Sequence, residues 1–592
     1  MPPKILFPSL SPAQEQIVEH FAQQLQLCSS DGLRALGRTA AIHSHLTKTP
    51  LLNSSLFLRN HLLTSYFSTS PDPSLPLQLL DEMPHRNVVS WSSSISGLVR
   101  LREPSLALSL FSDMLRSPAR PNEFTLVSAL HAASLLSSAD HGPTGHCASQ
   151  AVYGLVLRLG FDSNVFLTNA YLTGLVRSRR FGEAVELFEK CGNRDVVSWN
   201  SMMAGYLEFD CSMVWTVWCR MNRGGVAPDE FSFSSVLTGL ATASTSISGV
   251  QVHAQAVKYG YGDDLCVGNS LVDMYLKNRD LVAGFRAFRE MPKRDVVSWT
   301  QMAAGCLDCG QSSQALEIVH RMKLAGIMPN RFTMATALNA CASLASAEEG
   351  GKAHAFRVKL GDDVDVCVDN ALLDMYVKCG SMGDALKVFR SMEVKCDVSW
   401  TTLIMGFAQN GLAREALRVY EKMVAERVKP NYITFISVLY ACSQGGLVDE
   451  GWRYFASMSR DHGVDPGEDH YACMVDLLGK AGHIPEAEAL IQSMPFEPGA
   501  VVWQTLLGAC RLHGDVETGK RAASRAMALV KEDPSTYVML SNIFADKSNW
   551  DGVDRVRELM GNRGVNKMPG SSWIETTKVS QCSISQQGSC KL

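Results

Sequence analysis

The sequence has no apolar run of about 18 residues, the length that a membrane-spanning helix requires. It has no run of like charges and a formal net charge of −4, so its global charge neither attracts nor strongly excludes nucleic acid. No tract rich in Pro, Gly and Ser divides the 592 residues into globules, and the first 17 residues have no signal-peptide core. We interpret residues 1–17 as a short N-terminal segment in which a targeting function is only weakly marked.

Three kinds of active site are approached by the sequence, but each lacks an essential part. Cys306 and Cys309 form the only CxxC, yet none of the 15 histidines is followed two residues later by the Glu that a zinc deaminase needs. The stretch GDVETGKR at 514–521 approaches a phosphate-binding loop, but Arg521 stands where a hydroxyl would bind magnesium. No GxSxG elbow marks a nucleophilic serine. We therefore predict no catalytic residue, no metal ligand and no cofactor.

What the chain does contain is a repeated segment. RDVVSWN begins at Arg194, and similar segments begin at Arg86, Arg294, Lys395 and, in a weaker form, Ala500. Their tryptophans return at intervals of 100 to 108 residues, a regularity that independent domains would not produce. Each interval splits into three units. The resulting frame has a partial unit at 18–55, a short unit at 56–87, and triads of units at 88–195, 196–295, 296–396 and 397–499.

Each unit has the pattern of a helix hairpin. In the second half of the unit at 296–330, Ala315, Ile318 and Met322 share one helical stripe, and Gly326 ends that helix. One hairpin cannot bury its apolar face alone, so neighbouring hairpins must stack. The sequence therefore predicts an all-α fold, an α-solenoid or superhelix of helix-turn-helix repeats. The segment HGPTGH at 141–146 is expected to widen the loop between two helices.

Several residues that recur at equivalent places are expected to pack in the core. One such place holds the small, reduced cysteines Cys28, Cys341, Cys442 and Cys510. Packing between repeats, in preference to base stacking, is predicted for Trp91, Trp199, Trp299 and Trp400. Packing on the second helix, in preference to ligand binding, is predicted for His43, His253 and His354.

These units resemble a known family. The VVSWN-type, FTF-type and NALLDMY-type segments, with HYACMVDLLGKAG at 470–482 and MPFEP at 494–498, resemble the repeats of plant pentatricopeptide-repeat (PPR) proteins of the PLS class. VVWQTLLGACRLHGD, YVMLSNIFA and PGSSWIE, within 500–575, resemble the two E motifs of the editing-factor subgroup. The resemblance implies site-specific binding of single-stranded organellar RNA and cytidine-to-uridine editing, with a deaminase-bearing partner bound through 500–575. The tail at 576–592 departs from the family and is interpreted as flexible.

The family resemblance also assigns the residues that contact RNA. Repeats of this kind read one base each, and the resemblance gives that role to the fifth and last residues of a unit. An asparagine amide suits it, because it offers both a donor and an acceptor to a base edge. The predicted base-reading residues are Asn60, Asn87, Ser92, Asn122, Asn169, Asp195, Asn200, Asp229, Asn269, Asp295, Thr300, Asn330, Asn370, Thr401 and Asn431. The second residues Val89, Val197, Val297 and Val398 are predicted to sandwich neighbouring bases.

The family's recognition rules predict a base order from these pairs. From 5′ to 3′ the specified bases are a pyrimidine at Asn60/Asn87, adenine at Ser92/Asn122, uridine at Asn169/Asp195, Asn200/Asp229 and Asn269/Asp295, and adenine at Thr300/Asn330 and Thr401/Asn431. The remaining units have no usable pair, and Asn370/Cys396 has lost the terminal acid or amide, so we expect those places to tolerate any base.

Three alternatives remain open at the level of the sequence. A repeated Asn also caps helices or cross-links hairpins in solenoids that bind no RNA. A protein-binding scaffold of the TPR kind has the same periodicity, and an RNA-binding factor for transcript stability, splicing or translation has the same repeats. We expect a mitochondrial location, with the chloroplast as the alternative, and no membrane partner.

Overall fold

The computed structural model of the protein describes residues 12–49, 51–138, 143–242, 246–359 and 365–565. Over these ranges the regular structure is helical, and none of their helices is both long and apolar enough to cross a bilayer. The chain divides into two compact units, Met1–Lys293 and Arg294–Leu592, each of which is described by itself. The predicted tail at 576–592 and the segment PGSSWIE lie outside the described residues.

Both units consist of short helices joined by tight turns. The helices of the first unit are α1 (Pro12–Asp31), α2 (Leu36–Thr47), α3 (Leu51–Ser54), α4 (Leu56–Thr69), α5 (Ser74–Asp81), α6 (Val88–Arg100), α7 (Pro104–Arg116), α8 (Glu123–Ser138), α9 (Pro143–Arg158), α10 (Val165–Arg177), α11 (Phe181–Lys190), α12 (Val196–Phe209), α13 (Val214–Arg223), α14 (Glu230–Thr242), α15 (Ser246–Lys258), α16 (Leu265–Lys277) and α17 (Leu281–Glu290), with 3-10 turns at Gly32–Ala35 and Cys211–Met213. Those of the second unit are α18 (Val296–Asp308), α19 (Ser312–Leu324), α20 (Arg331–Ser343), α21 (Ala347–Lys359), α22 (Val366–Lys378), α23 (Met382–Ser391), α24 (Asp397–Gln409), α25 (Ala413–Ala425), α26 (Tyr432–Gly445), α27 (Val448–His462), α28 (Glu468–Lys480), α29 (Ile484–Gln492), α30 (Ala500–His513), α31 (Val516–Leu529), α32 (Pro534–Asp546) and α33 (Trp550–Asn562).

The helices pair into hairpins, and the hairpins stack. In the second unit the first helices α18, α20, α22 and so on to α32 contact one another in sequence order, and each also packs on the second helix of its own hairpin. The first unit repeats this pattern from α4 to α17. The predicted α-solenoid of helix hairpins is therefore confirmed within each unit.

The local signals for this arrangement act as the sequence predicted. Ala315, Ile318 and Met322 are buried along α19, and Gly326 follows the helix with a φ of 75°, a left-handed conformation that glycine adopts without steric cost. Further glycines let the stacked helices approach closely. A Cβ atom on Gly406 of α24 would lie 2.6 Å from Cγ2 of Val377 on α22.

The recurring tryptophans and cysteines lie in the core. Trp91, Trp199 and Trp400 are 4%, 5% and 1% exposed, and Arg86 lies over the ring of Trp91 at 5.2 Å. Phe389 meets Trp400 edge to face, with ring centroids 4.7 Å apart. The cysteines predicted to pack in the core are also buried, which confirms both packing predictions.

Replacing Trp400 by alanine should destabilise the second unit strongly. Truncating a buried Trp typically costs about 3–5 kcal/mol of unfolding free energy, because a cavity remains where the ring was. Denaturant unfolding followed by circular dichroism measures this loss. Trp550→Ala is a matched control, since Trp550 is 63% exposed and its loss should be nearly neutral. Equal stability of the two variants would contradict the assigned packing role.

Two helices begin at places that differ from the sequence expectation. Helix α1 begins at Pro12, so the predicted border between 17 and 18 falls inside a helix; proline is well suited to the first position of a helix. In the segment 141–146, residues 141 and 142 lie outside the described residues, and 143–146 form the first turn of α9, which begins at Pro143. Helices α8 and α9 have 16 residues each, whereas α20 and α21 at the equivalent places have 13. Both described helices of that hairpin are therefore longer than their equivalents.

Candidate nucleic-acid interface

The last residue of a unit caps the first helix of the next unit. Asn87, Asp195, Asn330 and Asn431 each accept the backbone N–H of the third residue of the following helix, at 3.0, 2.9, 2.9 and 2.9 Å. Asp295 caps α18 in the same way, accepting from the backbone of Ser298 at 2.9 Å. Short acceptor side chains are preferred at such caps, so Asn and Asp have a structural reason to recur there whether or not RNA binds.

The fifth residue of a unit lies on the first helix and contacts this cap. Nδ2 of Asn169 donates to Oδ1 of Asp195 at 2.8 Å, and the hydroxyl of Ser198 donates to Oδ1 of Asn169 at 2.7 Å. The same three places are joined at Asn60, Asn87 and Ser90, and at Asn200, Asp229 and Ser232. The predicted fifth and last residues are thus brought together, and the alternative of a cross-link between hairpins is a real contact of this structure.

Where the fifth residue is a hydroxyl, a relay of hydroxyl groups replaces the amide contact. Oγ1 of Thr300 lies 2.6 Å from Oγ1 of Thr333, which donates to Oδ1 of Asn330 at 3.0 Å. Ser92, Thr125 and Asn122 repeat this arrangement, as do Thr401, Thr434 and Asn431. The fifth and last residues of these units therefore communicate mainly through a third side chain.

That third side chain is a functional candidate that the sequence reasoning missed. It is the third residue of the following first helix, and it is 0–4% exposed at Ser90, Thr125, Ser198, Ser232, Thr333, Ser399 and Thr434. A Ser recurs at this place in the VVSW segments and a Thr in the FT segments of the sequence. Only the contact between two hairpins shows that this hydroxyl meets the fifth and last residues. The fifth residue, the last residue and this buried third residue form a side-chain triad. Such triads occur at Asn60, Ser92, Asn169, Asn200, Thr300, Asn370 and Thr401.

The triad of Asn169, Asp195 and Ser198 favours the ionised form of its acid. Burial opposes the ionisation of Asp195, but hydrogen bonds from Ser198 and Asn169 outweigh it and lower the pKa of the carboxyl group. The carboxylate is therefore an acceptor only, and it orients the Nδ2 end of Asn169 toward itself. In the Thr/Asn triads the last residue is uncharged, so the two kinds of pair differ in charge as well as in shape.

In one predicted pair the last residue is a cysteine, whose sulfur is a weak hydrogen-bond acceptor. Nδ2 of Asn370 donates to the sulfur of Cys396 at 3.4 Å, while Ser399 donates to Oδ1 of Asn370 at 2.7 Å. Burial opposes the ionisation of Cys396, but hydrogen bonds from Ser399 and Asn370 lower the pKa of the thiol. The triad geometry is thus retained, and only the chemistry of the last residue has changed. Of the other two predicted readers, Asn269 is half-buried on α16 of the first unit and Asp295 caps α18 of the second unit.

Apolar side chains lie exposed next to the triads. Val89, Val197, Val297 and Val398, the predicted second residues, are 48–52% exposed. The structure extends this set to exposed apolar side chains at the same position of other hairpins, which the sequence reasoning missed: Phe124, Phe166, Phe231, Phe332, Ile433 and Val501. Their apolar surface faces solvent, where it stabilises the fold little. The flat face of a base would be stabilised by stacking on this surface.

A cavity of about 370 Å³ joins the two kinds of residue in the second unit. Its lining includes the second residues Val398 and Ile433, Thr401 and Asn431 of the triad, and Lys378. Apolar side chains together with hydrogen-bonding groups suit a flat heterocycle with hydrogen-bonding edges. The positive charge of Lys378 is partly neutralised by Asp374, whose carboxylate lies 2.8 Å away.

The three histidines pack as predicted. Nδ1 of His43, His253 and His354 each forms a hydrogen bond of 2.8–2.9 Å with the hydroxyl of a tyrosine on the next hairpin. Burial lowers the pKa of each imidazole. These side chains join hairpins and lie apart from the triads.

Because of these histidines, we expect the protein to lose stability in mild acid. Their pKa in the folded state lies below the ordinary value of 6.5, so the unfolded chain binds protons first. The stabilisation is complete above pH 6.5 and is lost progressively as the pH falls below it. The fall in melting temperature on this acid side should be smaller in a variant with His43, His253 and His354 replaced by Gln, which keeps a polar group beside each tyrosine but does not titrate. An unchanged pH profile would show that other groups control it.

The two segments that approach a metal site and a phosphate-binding loop have structural roles. Cys306 is buried in α18, which raises the pKa of its thiol to about 11, a poor state for a metal ligand or a nucleophile. In the stretch 514–521, Gly514 ends α30, Asp515 caps α31, and Arg521 forms two hydrogen bonds with Glu488 at 2.8 and 2.9 Å. Among the residues that the structure describes, no group of three or more His, Cys, Asp and Glu side chains is arranged to hold a metal ion.

Comparison with known proteins gives matches over most of the chain. The family described as PPR repeat matches 89–118, 167–196, 269–296, 370–396, 433–462 and 469–497. The PPR repeat family matches 194–242 and 395–444, and the pentatricopeptide repeat domain matches 286–343. A model described as the E motif matches 513–575.

Relatives in Arabidopsis thaliana are similar over long stretches. One pentatricopeptide repeat-containing protein is 38% identical over 84% of this chain, which spans 50% of that relative's length. A second, named mitochondrial, is 32% identical over 92% of this chain and 82% of its own, and another of 33% identity is named chloroplastic. A crystal structure of the pentatricopeptide repeat protein PPR10 in complex with an 18-nt psaJ RNA element has a TM-score of 0.55 and 16% identity, with 93% of both chains covered. This chain therefore belongs to the pentatricopeptide repeat family, in the subgroup that carries an E motif after its repeats.

Proposed function

We propose that this protein binds single-stranded RNA in a plant organelle in a sequence-specific manner and specifies sites of cytidine-to-uridine editing. The deaminase is supplied by a partner that binds the E-type region at 500–575. The observation that carries the proposal is the repeated triad of fifth, last and third residues beside an exposed apolar second residue. The family membership and the RNA bound to the structural relative PPR10 support the same reading.

The pattern of variation among triads favours base reading over a purely structural cross-link. The buried hydroxyl at the third place is nearly constant, while the fifth residue changes between Asn, Thr and Ser and the last residue, which caps the helix, changes between Asp and Asn. A cross-link alone needs no such variation, whereas discrimination among bases needs different donors and acceptors from one unit to the next. A peptide scaffold also gives no reason for flat apolar surface next to each triad.

The editing role and the location rest on the C-terminal hairpins and on the relatives. The E motif match lies on α31, α32 and α33 and reaches beyond them. The sequence has no HxE, so the proton-transferring glutamate of a zinc deaminase is assigned to the partner. Relatives named mitochondrial and chloroplastic support an organelle, and we propose the mitochondrion, with the chloroplast as the alternative.

Selection from a random RNA pool tests the binding proposal. The purified chain should enrich RNAs that carry the predicted order of uridines and adenines, and a single substitution at a specified place should cost about 1–3 kcal/mol of binding free energy. If no RNA sequence were enriched, the proposal would be contradicted and a protein-binding scaffold would be favoured. A factor for stability, splicing or translation would select RNA equally well, but its loss in the plant would change transcript levels or processing and leave editing intact.

Cys396→Asp should create a reading site where the chain now has none. The new carboxylate would meet Nδ2 of Asn370, as Asp195 meets Asn169, and the unspecified place should acquire a preference for uridine of about tenfold or more. Competition binding with four RNAs that differ only at that nucleotide measures the change. Cys396→Ser is the control, because it places a small polar side chain at the same position without the charge. If Cys396→Asp also bound all four RNAs equally, the last residue would have no part in reading.

A further inference from the structure

The hairpin that follows the repeats contains the parts of one more reading site. Gln504 is the fifth residue of α30, and Asp533 directly precedes α32 and caps it. Nε2 of Gln504 donates to Oδ2 of Asp533 at 2.8 Å. These two residues therefore occupy the places of Asn200 and Asp229, and the amide donates to the carboxylate in both cases.

The third member of the triad is also present. Thr536 is the third residue of α32 and is fully buried, like Ser232 in the repeat array. Its hydroxyl donates to Oδ2 of Asp533 at 2.9 Å and accepts from Nε2 of Gln504 at 3.0 Å. Val501, the second residue of α30, is 57% exposed, as the second residues of the repeats are.

The two units before this hairpin have no such triad. Their fifth and last residues are Ile436 with Gly467 and Ala472 with Gly499, none of which has a polar side chain. The triad thus returns after an interruption. Capping of α32 explains Asp533 by itself, but it does not require an amide on the neighbouring hairpin, since Asp515 caps α31 through the backbone of Thr518.

We propose that the unit at 500–533 binds one nucleotide and prefers uridine to cytidine there. Under the proposed function, on which this inference rests, that nucleotide is the third one 3′ of the adenine assigned to Thr401 and Asn431. The nitrogen of the Gln504 amide is engaged by Asp533 and Thr536, so its oxygen is the group turned to a base. An acceptor fits the N3–H of uracil and is repelled by the bare N3 of cytosine. The E-type region would then contact RNA as well as protein.

Single-base RNA variants on the unmodified protein test this directly. The two nucleotides immediately 3′ of that adenine should tolerate every base, whereas uridine to cytidine at the third should weaken binding about tenfold. Gln504→Ala should remove the discrimination at the third nucleotide only. Thr505→Ala should retain it, because Thr505 is the next residue of α30 and bonds only to the backbone of Val501.

The outcomes separate this inference from the function on which it rests. If the uridine places at Asn169 and Asn200 discriminate and the third nucleotide does not, the extra site is overturned and the proposed function stands. If no place discriminates, both are overturned. Because the first series needs no variant, a folding defect in Gln504→Ala cannot obscure the result, and melting curves of Gln504→Ala and Thr505→Ala identify such a defect.

Discussion

An RNA in which one uridine is replaced by adenine should become the preferred ligand of the variant with Asn200→Thr and Asp229→Asn. The exchange converts an Asn/Asp triad into the Thr/Asn type found at Thr300 and Asn330, and Ser232 remains as the buried hydroxyl between them. The amide that donates to Asp229 at 2.9 Å and the carboxylate charge both disappear. Since each wrong base costs about 1–3 kcal/mol, the ratio of the two affinities should change by about a hundredfold between the unmodified protein and the variant.

Competition binding with the two RNAs measures this ratio. Ser201→Ala is the matched control, because its hydroxyl lies next to Asn200 in α12 but bonds to Thr173, outside the triad. Other uridine places should keep their preference in the double variant. A preference for uridine that survived the exchange would mean that these side chains do not face the RNA.

Removing 500–575 should abolish editing in plants while RNA binding falls by no more than about tenfold. Hairpins of a solenoid contact only their neighbours, so the array before α30 should remain folded without the E-type region. The binding loss corresponds to the single nucleotide assigned to Gln504 and Asp533. Editing is read by sequencing organellar transcripts from plants that lack the gene and express the shortened chain.

A full-length variant separates loss of a partner from loss of a folded end. Leu512, Leu529 and Trp550 are 54–66% exposed in the E-type region, and their apolar side chains offer surface to a partner. Replacing the three by serine should lower editing and leave both the fold and RNA binding unchanged. Normal editing by the shortened chain would refute the docking role of the region, and normal editing by the serine variant would place the contact elsewhere within it.

The family's recognition rules and the capping of helices both constrain which residue stands at the last position of a unit. The last residue of a unit is both the cap of a helix and the predicted reader, so the helix favours short capping residues such as Asn and Asp there before any base is considered. The fifth residue has no such local duty. Its identity therefore carries more of the predicted specificity, and variation at Asn169, Asn200, Thr300 and Thr401 is the better guide to the RNA.

The sequence by itself determined the repeat, the helix hairpins and the buried ridges. The helical stripe of Ala315, Ile318 and Met322 and the glycine that ends α19 are signals between residues close in the chain. The tryptophan that recurs at intervals of 100 to 108 residues marks the repeat. The family resemblance added the predicted readers by position. All of this could be read without knowing how two hairpins meet.

Only the tertiary structure decided which side chains touch across hairpins and which remain exposed. The contact of Asn169 with Asp195 and Ser198 joins residues 26 and 29 positions apart, and it depends on the rotation of one helix against the next. The same rotation leaves Phe124 and Phe332 in solvent while Trp91 and Trp400 are buried, although all four are aromatic residues near the start of a helix. It also brings Gln504 to Asp533 and Thr536, a triad that the sequence reasoning passed over because the order of residues does not contain the distance between neighbouring hairpins.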